Sequence, residues 1–236
     1  MQASQEPVLV IDPDPTSRQL ISDALAGRGI QARSFAEAEK ALAAALEQPP
    51  RLVLSELTLP DISGLGLCRL LREEAGTSHV PIVFVSGCSS EADRVLAFES
   101  GADDFVAKPF YASELGARVS AILKRRQPPE PRLGDAPVAS DELVIDSRRR
   151  SIHVKGTATP LSATEFNLLE LLASGAGRVF SRSELVERVW SGDKRPNERI
   201  IDTHVKAIRR KLGDAGGRIE TVRGRGYRFD LTPRRT

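Results

Sequence analysis

Short apolar runs alternate with longer amphipathic stretches over the first 126 residues. The runs are rich in β-branched and aliphatic residues, and they predict strands at 8–11, 30–35, 52–54, 82–85 and 105–107. Apolar residues three and four positions apart predict five helices, the first around 20–25 and the others at about 36–46, 65–72, 91–100 and 112–126. Strands and helices in strict alternation predict an α/β fold: a doubly wound, five-stranded parallel sheet covered on both faces.

The pattern changes after residue 126. The segment Gln127-Pro128-Pro129-Glu130-Pro131 cannot continue a helix and predicts an extended linker. Beyond it the pattern predicts an α+β domain with strands at 143–145 and 151–154, helices at about 162–173, 181–190 and 197–212, and a closing hairpin at 219–229. Ser–Glu pairs with capping-box spacing open two of the helices, at 162/165 and 181/184. We therefore expect domains at 1–126 and 141–236, joined by a linker at 127–140.

Charge divides between the same two halves. The chain has a net charge of +2, but residues 1–126 carry 13 Lys and Arg against 17 Asp and Glu, and the rest carries 21 against 15. An acidic half joined to a basic half is typical of a regulatory part and a part that meets a polyanion. The apolar runs are strand-sized, Met1 is followed by polar residues, and the two cysteines lack the spacing of metal ligands. We expect a cytoplasmic protein without a membrane partner.

Polar residues with chemical potential follow four of the predicted strands. Those strand ends are Asp12-Pro13, Ser55-Glu56, Ser86-Gly87 and Ala107-Lys108-Pro109. Because the carboxyl ends of parallel strands meet at one edge of a sheet, carboxylates, a hydroxyl and a lysine should converge there. The sequence therefore predicts a site at this edge. No nucleophile–base pair is evident, so we expect the protein not to be an enzyme.

The predicted helix 197–212 has an apolar face and a basic face. Ile201, Val205, Ile208 and Leu212 form the apolar stripe; the opposite stripe carries Arg199, Thr203, Lys206 and Arg210, flanked by His204, Arg209 and Lys211. A basic face on an isolated helix is usually only solvated. Here a glycine-containing hairpin with an arginine tip follows, at 221–229, so two contact elements are available for the grooves of double-stranded DNA.

The basic half resembles the winged-helix effector domain of OmpR/PhoB-type response regulators. The matching motifs, in the expected order, are LSATEFNLL at 161–169, SRSEL at 181–185, IDTHV at 201–205, RRKL at 209–212 and RGRGYRF at 223–229. The resemblance implies a recognition helix at 197–212, a wing carrying Arg223 and Arg225, and a loop at 191–196 that faces RNA polymerase or a neighbouring protomer. It also places the indole N–H of Trp190 near a DNA phosphate. A core aromatic that ends a helix is the alternative for Trp190. The expected DNA-binding residues are Trp190, Arg199, Thr203, His204, Lys206, Arg209, Arg210, Arg223 and Arg225.

The acidic half resembles the receiver domain of the same family, which has a flavodoxin-like fold. The matching motifs are LP at 59–60, SG at 63–64, GADDF at 101–105, KPF at 108–110 and EL at 114–115, with Arg118 after them. A working receiver needs a phosphoacceptor Asp after strand three, an acidic pair after strand one to bind Mg²⁺, a Ser or Thr after strand four and a Lys after strand five. Ser86 and Lys108 match the last two requirements. Glu56 stands at the acceptor position, and Pro13 stands where the principal metal-ligating carboxylate belongs.

These departures predict an atypical receiver that accepts no phosphoryl group. Proline has no side-chain oxygen, and Mg²⁺ requires several oxygen ligands, so we expect no Mg²⁺ or other cofactor and no cognate histidine kinase. Asp14 could compensate only if its side chain turned toward the pocket. The degenerate pocket comprises Asp12, Pro13, Glu56, Ser86, Lys108 and Phe105, the last at the family's aromatic switch position.

Two alternatives for Glu56 stay open. Its carboxylate reaches Lys108 or Ser86 and mimics a phosphorylated Asp, or it is only an acid left over after acceptance was lost. The resemblance also implies a homodimer through the face of helix four, strand five and helix five, with charges at Arg94, Asp103, Asp104, Glu114, Arg118 and Arg125. The leading hypothesis is a phosphorylation-independent transcriptional regulator. The competing hypotheses are a conventional kinase-controlled regulator and a receiver pocket that senses a protein or a small molecule.

Overall fold

The computed structural model describes residues 6–125, 138–139, 142–147, 149–190 and 196–230. The chain divides into two compact units, Met1–Arg126 and Gln127–Thr236. Among the described residues, no helix has the length and apolarity needed to cross a membrane.

The first unit is a five-stranded parallel sheet with five helices. Its strands are β1 (Val8–Ile11), β2 (Ala32–Phe35), β3 (Leu52–Ser55), β4 (Ile82–Ser86) and β5 (Asp104–Ala107). Its helices are α1 (Pro15–Ala26), α2 (Ala38–Glu47), α3 (Gly64–Glu73), α4 (Glu91–Glu99) and α5 (Ala112–Arg125). The strand order is β2-β1-β3-β4-β5, and every pairing is parallel. The predicted α/β fold is confirmed.

The central strands are buried along their whole length, which explains why they appear in the sequence as unbroken apolar runs. Every residue of β1, β3 and β4 is buried. Edge strand β2 is shorter than predicted, because Ile30 belongs to the turn that ends α1. Gly29 has a positive φ of 69°, and the Ile30 N–H donates to the Leu25 carbonyl, as in other glycine-terminated helices.

The second unit contains two antiparallel sheets and three α-helices. Its strands are β6 (Val138–Ala139), β7 (Leu143–Asp146), β8 (Ser151–Val154), β9 (Thr157–Ala158), β10 (Val179–Phe180), β11 (Ile219–Val222) and β12 (Gly226–Phe229). Its helices are α6 (Ala163–Ser174), α7 (Arg182–Val189) and α8 (Arg199–Leu212), followed by a 3-10 helix at Gly213–Arg218. The sheet orders are β6-β7-β8-β9 and β10-β12-β11. This is the expected winged-helix domain, with β11 and β12 as its wing.

Three two-residue strands were not predicted. One of them, β6, lies inside the expected linker and pairs with β7 through Val138 and Ala139. The other expected linker residues, 127–137 and 140, lie outside the described part of the chain.

The two predicted capping boxes have different outcomes. At α6 the box is complete: the Ser162 hydroxyl accepts the Glu165 N–H, and the Glu165 carboxylate accepts the Ser162 N–H. At α7 only half of it forms. Ser181 accepts the Glu184 N–H, but the Glu184 carboxylate pairs with Arg178 and Arg188 at 2.5 and 2.8 Å instead. Two nearby guanidinium groups compete successfully with one backbone N–H for that carboxylate.

Candidate receiver pocket and nucleic-acid interface

Lys108 lies between two carboxylates at the carboxyl edge of the parallel sheet. Its Nζ is 2.5 Å from Asp12 Oδ2 at the end of β1 and 2.8 Å from Glu56 Oε2 directly after β3. Ser86, at the end of β4, is fully buried beside them. Burial disfavours the ammonium form, but the hydrogen bonds to Asp12 and Glu56 outweigh it, and the pKa of Lys108 is raised above its ordinary value. The four strand ends therefore meet as their spacing predicts.

The Asp12 carboxylate is already committed to protein donors. Oδ2 accepts from Lys108 and, at 2.6 Å, from the Ser17 hydroxyl, while Oδ1 accepts the Asp14 N–H at 3.0 Å. The side chain is only 2% exposed. Such a fully bonded, buried carboxylate is held in one position.

The Glu56 carboxylate was expected to reach either Lys108 or Ser86. Its Oε1 accepts the Leu57 N–H at 2.7 Å, and its Oε2 contacts Lys108 and, more weakly at 3.4 Å, the Gly87 N–H. The Ser86 hydroxyl accepts the Cys88 N–H at 3.1 Å. Of the two predicted partners, the Glu56 carboxylate therefore bonds Lys108.

The loop after β1 places no second carboxylate in the pocket. Pro13 is exposed, and both oxygens of Asp14 cap helix α1 by accepting the N–H groups of Thr16 and Ser17. Arg18 donates from Nη1 to the carbonyls of Asp12 and Pro13, at 2.6 and 2.9 Å. Asp14 thus stabilises the helix start. Among the described residues, no group of three or more His, Cys, Asp or Glu side chains could hold a metal ion.

Most residues expected at a dimer face form contacts within the protomer. Arg118 bridges Asp104 at 3.0 Å and Glu114 at 3.2 Å. The exposed Arg94 places its guanidinium over the Phe105 ring, 5.6 Å from the centroid. Asp104 and Phe105 are successive residues of β5, so these two contacts lie on opposite faces of that edge strand. The side chain of Arg125 lies outside the described residues.

Asp103 was expected at the dimer face, but it is not a surface charge. It is 3% exposed, and its Oδ2 accepts the Ile82 N–H and a guanidinium hydrogen bond from Arg72, both at 2.9 Å. Arg72 also donates to the carbonyls of Gly101, Ser78 and Val80. Asp103 therefore anchors the start of β5 from inside, and the expectation that it faces a second protomer is wrong.

Helix α8 presents the predicted stripe to solvent. Ile201, Val205, Ile208 and Leu212 are buried, as their helical spacing predicts. On the opposite side Arg199, Lys206 and Arg210 are exposed and Thr203 is partly exposed. The stripe therefore consists of three cations and one hydroxyl.

One flank of the stripe is turned into the domain. His204 is 1% exposed, and its ring centroid lies 5.5 Å from that of Trp190, itself 4% exposed. Lys211 pairs with the buried Glu165 carboxylate at 2.6 Å. The expectation of an exposed, DNA-contacting His204 is therefore wrong, because Trp190, directly after α7, packs beside its ring. For Trp190 the burial favours the core-aromatic alternative.

The other flank holds the wing. Arg209 donates to the Ile219 carbonyl and to the Thr221 hydroxyl, so its guanidinium is engaged with β11 rather than presented outward. Asp202, which the sequence reasoning missed, accepts hydrogen bonds from the Arg182 guanidinium at 2.8 Å and the Tyr227 hydroxyl at 2.5 Å. Helical spacing alone places Asp202 beside Lys206 and two turns before Arg209. This position next to the basic stripe could have identified Asp202 from the sequence.

The wing ends in an exposed arginine pair. Thr221 pairs with Tyr227 and Val222 with Gly226, which leaves Arg223-Gly224-Arg225 as the tip. Gly224 has a φ of +71°, and a Cβ on Gly226 would lie 2.0 Å from the Phe180 carbonyl oxygen. The two glycines are thus required by the turn and by close packing against β10. Both tip arginines project into solvent, as predicted.

Comparisons with known proteins match both units. Residues 8–120 match the response regulator receiver domain, and residues 156–229 match the model described as transcriptional regulatory protein, C terminal. The chain is 31% identical to the phosphate regulon transcriptional regulatory protein PhoB of Pseudomonas aeruginosa, over 94% of this chain and 96% of that protein. It is 33% identical to the probable transcriptional regulator ycf27 of Porphyra purpurea, over 97% and 96% of the two chains. The crystal structure of DrrB, an OmpR/PhoB homologue from Thermotoga maritima, shares 30% identity at a TM-score of 0.50, over 96% of this chain and 99% of that one. The chain belongs to the OmpR/PhoB-type response regulators, which are DNA-binding transcriptional regulators.

Proposed function

We propose that this regulator binds specific DNA sites as a homodimer and does so without phosphorylation of its receiver. The observation that carries the proposal is the position of Lys108, which is bonded to both Asp12 and Glu56. The pocket's cation is therefore already neutralised by groups of the protein itself.

On this proposal, the DNA surface consists of the α8 stripe and the wing tip. Arg199, Thr203, Lys206 and Arg210 would enter the major groove, and Arg223 and Arg225 would reach the neighbouring minor groove. Three exposed cations on one helix face and two on a hairpin supply the phosphate contacts that fix the domain on a duplex. Lys206 lies near the middle of the stripe, so it is the residue we assign to base readout.

In the receiver, we assign Glu56 to the phosphoacceptor position. Its Oε2 contacts Lys108 and the Gly87 N–H, which are groups of the kind that stabilise a transferred phosphoryl group. A carboxylate held by these groups supports the phosphorylation-mimic alternative over a merely residual acid. The regulator would then remain in an active-like state.

The residues present do not fit Mg²⁺. That ion prefers six oxygen ligands in near-octahedral geometry, including carboxylates with free lone pairs. Asp12 is occupied by Lys108, Ser17 and the Asp14 N–H, and Asp14 caps a helix. Proline at position 13 adds no ligand. We therefore propose a receiver that functions without the ion and without a cognate histidine kinase.

The dimer would form through the face of α4, β5 and α5. Arg94, Val95 and Leu96 are exposed there on α4, whereas Asp104 is buried and, like Glu114, is paired with Arg118 within the protomer. A dimer would bind two half-sites and could recruit RNA polymerase, although residues 191–195 of the expected polymerase-facing loop lie outside the described part of the chain.

Substitution of Glu56 tests the receiver proposal. Glu56→Ala and Glu56→Gln remove the charge that is held by Lys108, so both should weaken dimerisation and DNA binding by about tenfold, the scale of one lost charge-assisted hydrogen bond. Light scattering and fluorescence anisotropy measure the two effects, with Glu73→Gln, at an exposed position of α3, as the matched control. Unchanged dimerisation and affinity in both Glu56 variants would favour the residual-acid alternative.

A further inference from the structure

Three side chains from three elements meet beside the exposed stripe of α8. Asp202 Oδ1 accepts from Arg182 Nε, at the start of α7, at 2.8 Å and from the Tyr227 hydroxyl, on β12, at 2.5 Å. The Arg182 guanidinium also lies over the Tyr227 ring, 5.0 Å from its centroid. We call Arg182, Asp202 and Tyr227 the wing cluster.

The phenol at the centre of the cluster is strongly constrained. Tyr227 is 4% exposed, and burial together with the hydrogen bond to Asp202 raises the pKa of its hydroxyl above the ordinary value. A buried hydroxyl needs a hydrogen-bond partner, and Asp202 supplies a charged one. A second guanidinium group, that of Arg209, lies 5.8 Å from the centroid of the same ring.

Both strands of the wing are therefore tied to the same helix. Tyr227 connects β12 to Asp202, and the Ile219 carbonyl and Thr221 hydroxyl connect β11 to Arg209. Asp202 and Arg209 lie two turns apart on one side of α8. The wing tip follows directly from these anchor points, so its distance from the α8 stripe is fixed before any DNA is bound.

From this arrangement we propose that the wing cluster sets the preference of the domain for its own DNA site over other DNA. Tyr227 does so by holding the wing at one distance from the recognition helix, which lowers the ordering cost of a two-groove contact. Asp202 does so by forming an ion pair with Arg182. Without that ion pair, Arg182 would add a cation beside the phosphate backbone and strengthen binding to any sequence. The inference rests on the DNA surface proposed above and names positioning residues for it.

The two roles predict different signatures in one assay. The full-length protein is titrated into two duplexes, one recovered with the wild-type protein from a random-sequence pool and one scrambled, at several salt concentrations. Tyr227→Phe should weaken binding to the selected duplex about fivefold and leave the scrambled duplex and the salt dependence unchanged. Asp202→Asn should tighten binding to the scrambled duplex about threefold, with a log–log salt slope steeper by about 0.9, the value of one added phosphate contact.

Two matched variants separate the possible failures. Asp214→Asn removes the same charge from an exposed site of the same unit, and Lys206→Ala removes a stripe residue. The inference is overturned if Lys206→Ala weakens the selected complex while Tyr227→Phe and Asp202→Asn keep the wild-type preference. It is also overturned if Asp214→Asn reproduces the effect of Asp202→Asn, because net charge alone would then explain it.

If Lys206→Ala has no effect, the proposed DNA surface itself is wrong, and the inference fails with it. Thermal unfolding checks that each variant is folded, and Asp202→Asn carries the test if Tyr227→Phe is not.

Discussion

The receiver unit and the DNA-binding unit use charged side chains in opposite ways. In the receiver, Asp12, Glu56 and Asp103 are buried at strand ends and paired with Lys108 or Arg72. In the DNA-binding unit, the cations of the α8 stripe and of the wing tip remain exposed. A buried ion pair fixes a conformation, but its charges are already neutralised and cannot bind a ligand. Exposed cations keep their hydration in the folded protein and can contact phosphates.

The DNA-binding unit itself contains both paired and exposed cations. Cations on the flanks of α8 are used internally, since Lys211 pairs with Glu165 and Arg209 bonds to the wing. Lys206 and Arg210 of the central stripe are exposed instead. The fold therefore separates the cations of this helix that hold it in place from those that face solvent, although all of them lie on one basic helix.

The largest effect is expected when an inward-facing pair is broken. Arg72→Ala leaves the Asp103 carboxylate buried and removes donors from three carbonyls, so it should lower the free energy of unfolding of the receiver by about 3–5 kcal/mol. Urea denaturation followed by circular dichroism measures the change. Arg69→Ala, at an exposed position of the same helix, should change it by less than about 0.5 kcal/mol. Equal effects of the two substitutions would remove the distinction between inward and outward charges in the receiver.

A smaller effect is expected when an outward-facing cation is removed. Arg223→Ala should weaken binding to all duplexes and lower the salt slope by about 0.9, because it removes a phosphate-directed cation.

Lys206→Ala should weaken the free energy of binding to the selected duplex by about 1–3 kcal/mol and relax sequence preference, because it removes base readout. Neither should affect unfolding by more than about 0.5 kcal/mol. Anisotropy titrations measure the affinities, and Arg149→Ala, an exposed arginine of the same unit, is the control. If both variants bind DNA like the wild type, the outward half of the comparison is wrong.

The hydrophobic periodicity predicted the parallel sheet and the recognition helix because their apolar residues recur regularly along the chain. It also predicted that Asp12, Glu56, Ser86 and Lys108 meet, since that follows from the topology of a parallel sheet. The strands β6, β9 and β10 were missed because two residues carry no measurable period.

The errors at His204 and Asp103 have a different cause. Both lie where a predicted exposed surface meets the core, and helical or strand spacing does not say which neighbouring element covers such a position. His204 packs beside Trp190, and Asp103 is held by an arginine 31 residues earlier in the chain. Asp202 and Tyr227 pair across 25 residues, a contact that only the tertiary fold brings about.

We propose that the receiver is held by its own side chains rather than by a phosphoryl group. The most direct measurement is incubation of the full-length protein with Mg²⁺ and either acetyl phosphate or beryllofluoride, followed by intact-mass spectrometry, light scattering and DNA titration. A phosphorylatable receiver treated in parallel serves as the positive control. We expect no phosphoryl adduct and no change in oligomeric state or DNA affinity, because Lys108 is already bonded to Asp12 and Glu56. A Mg²⁺-dependent adduct, or a beryllofluoride-induced shift in dimerisation, would contradict the claim and restore a kinase-controlled regulator.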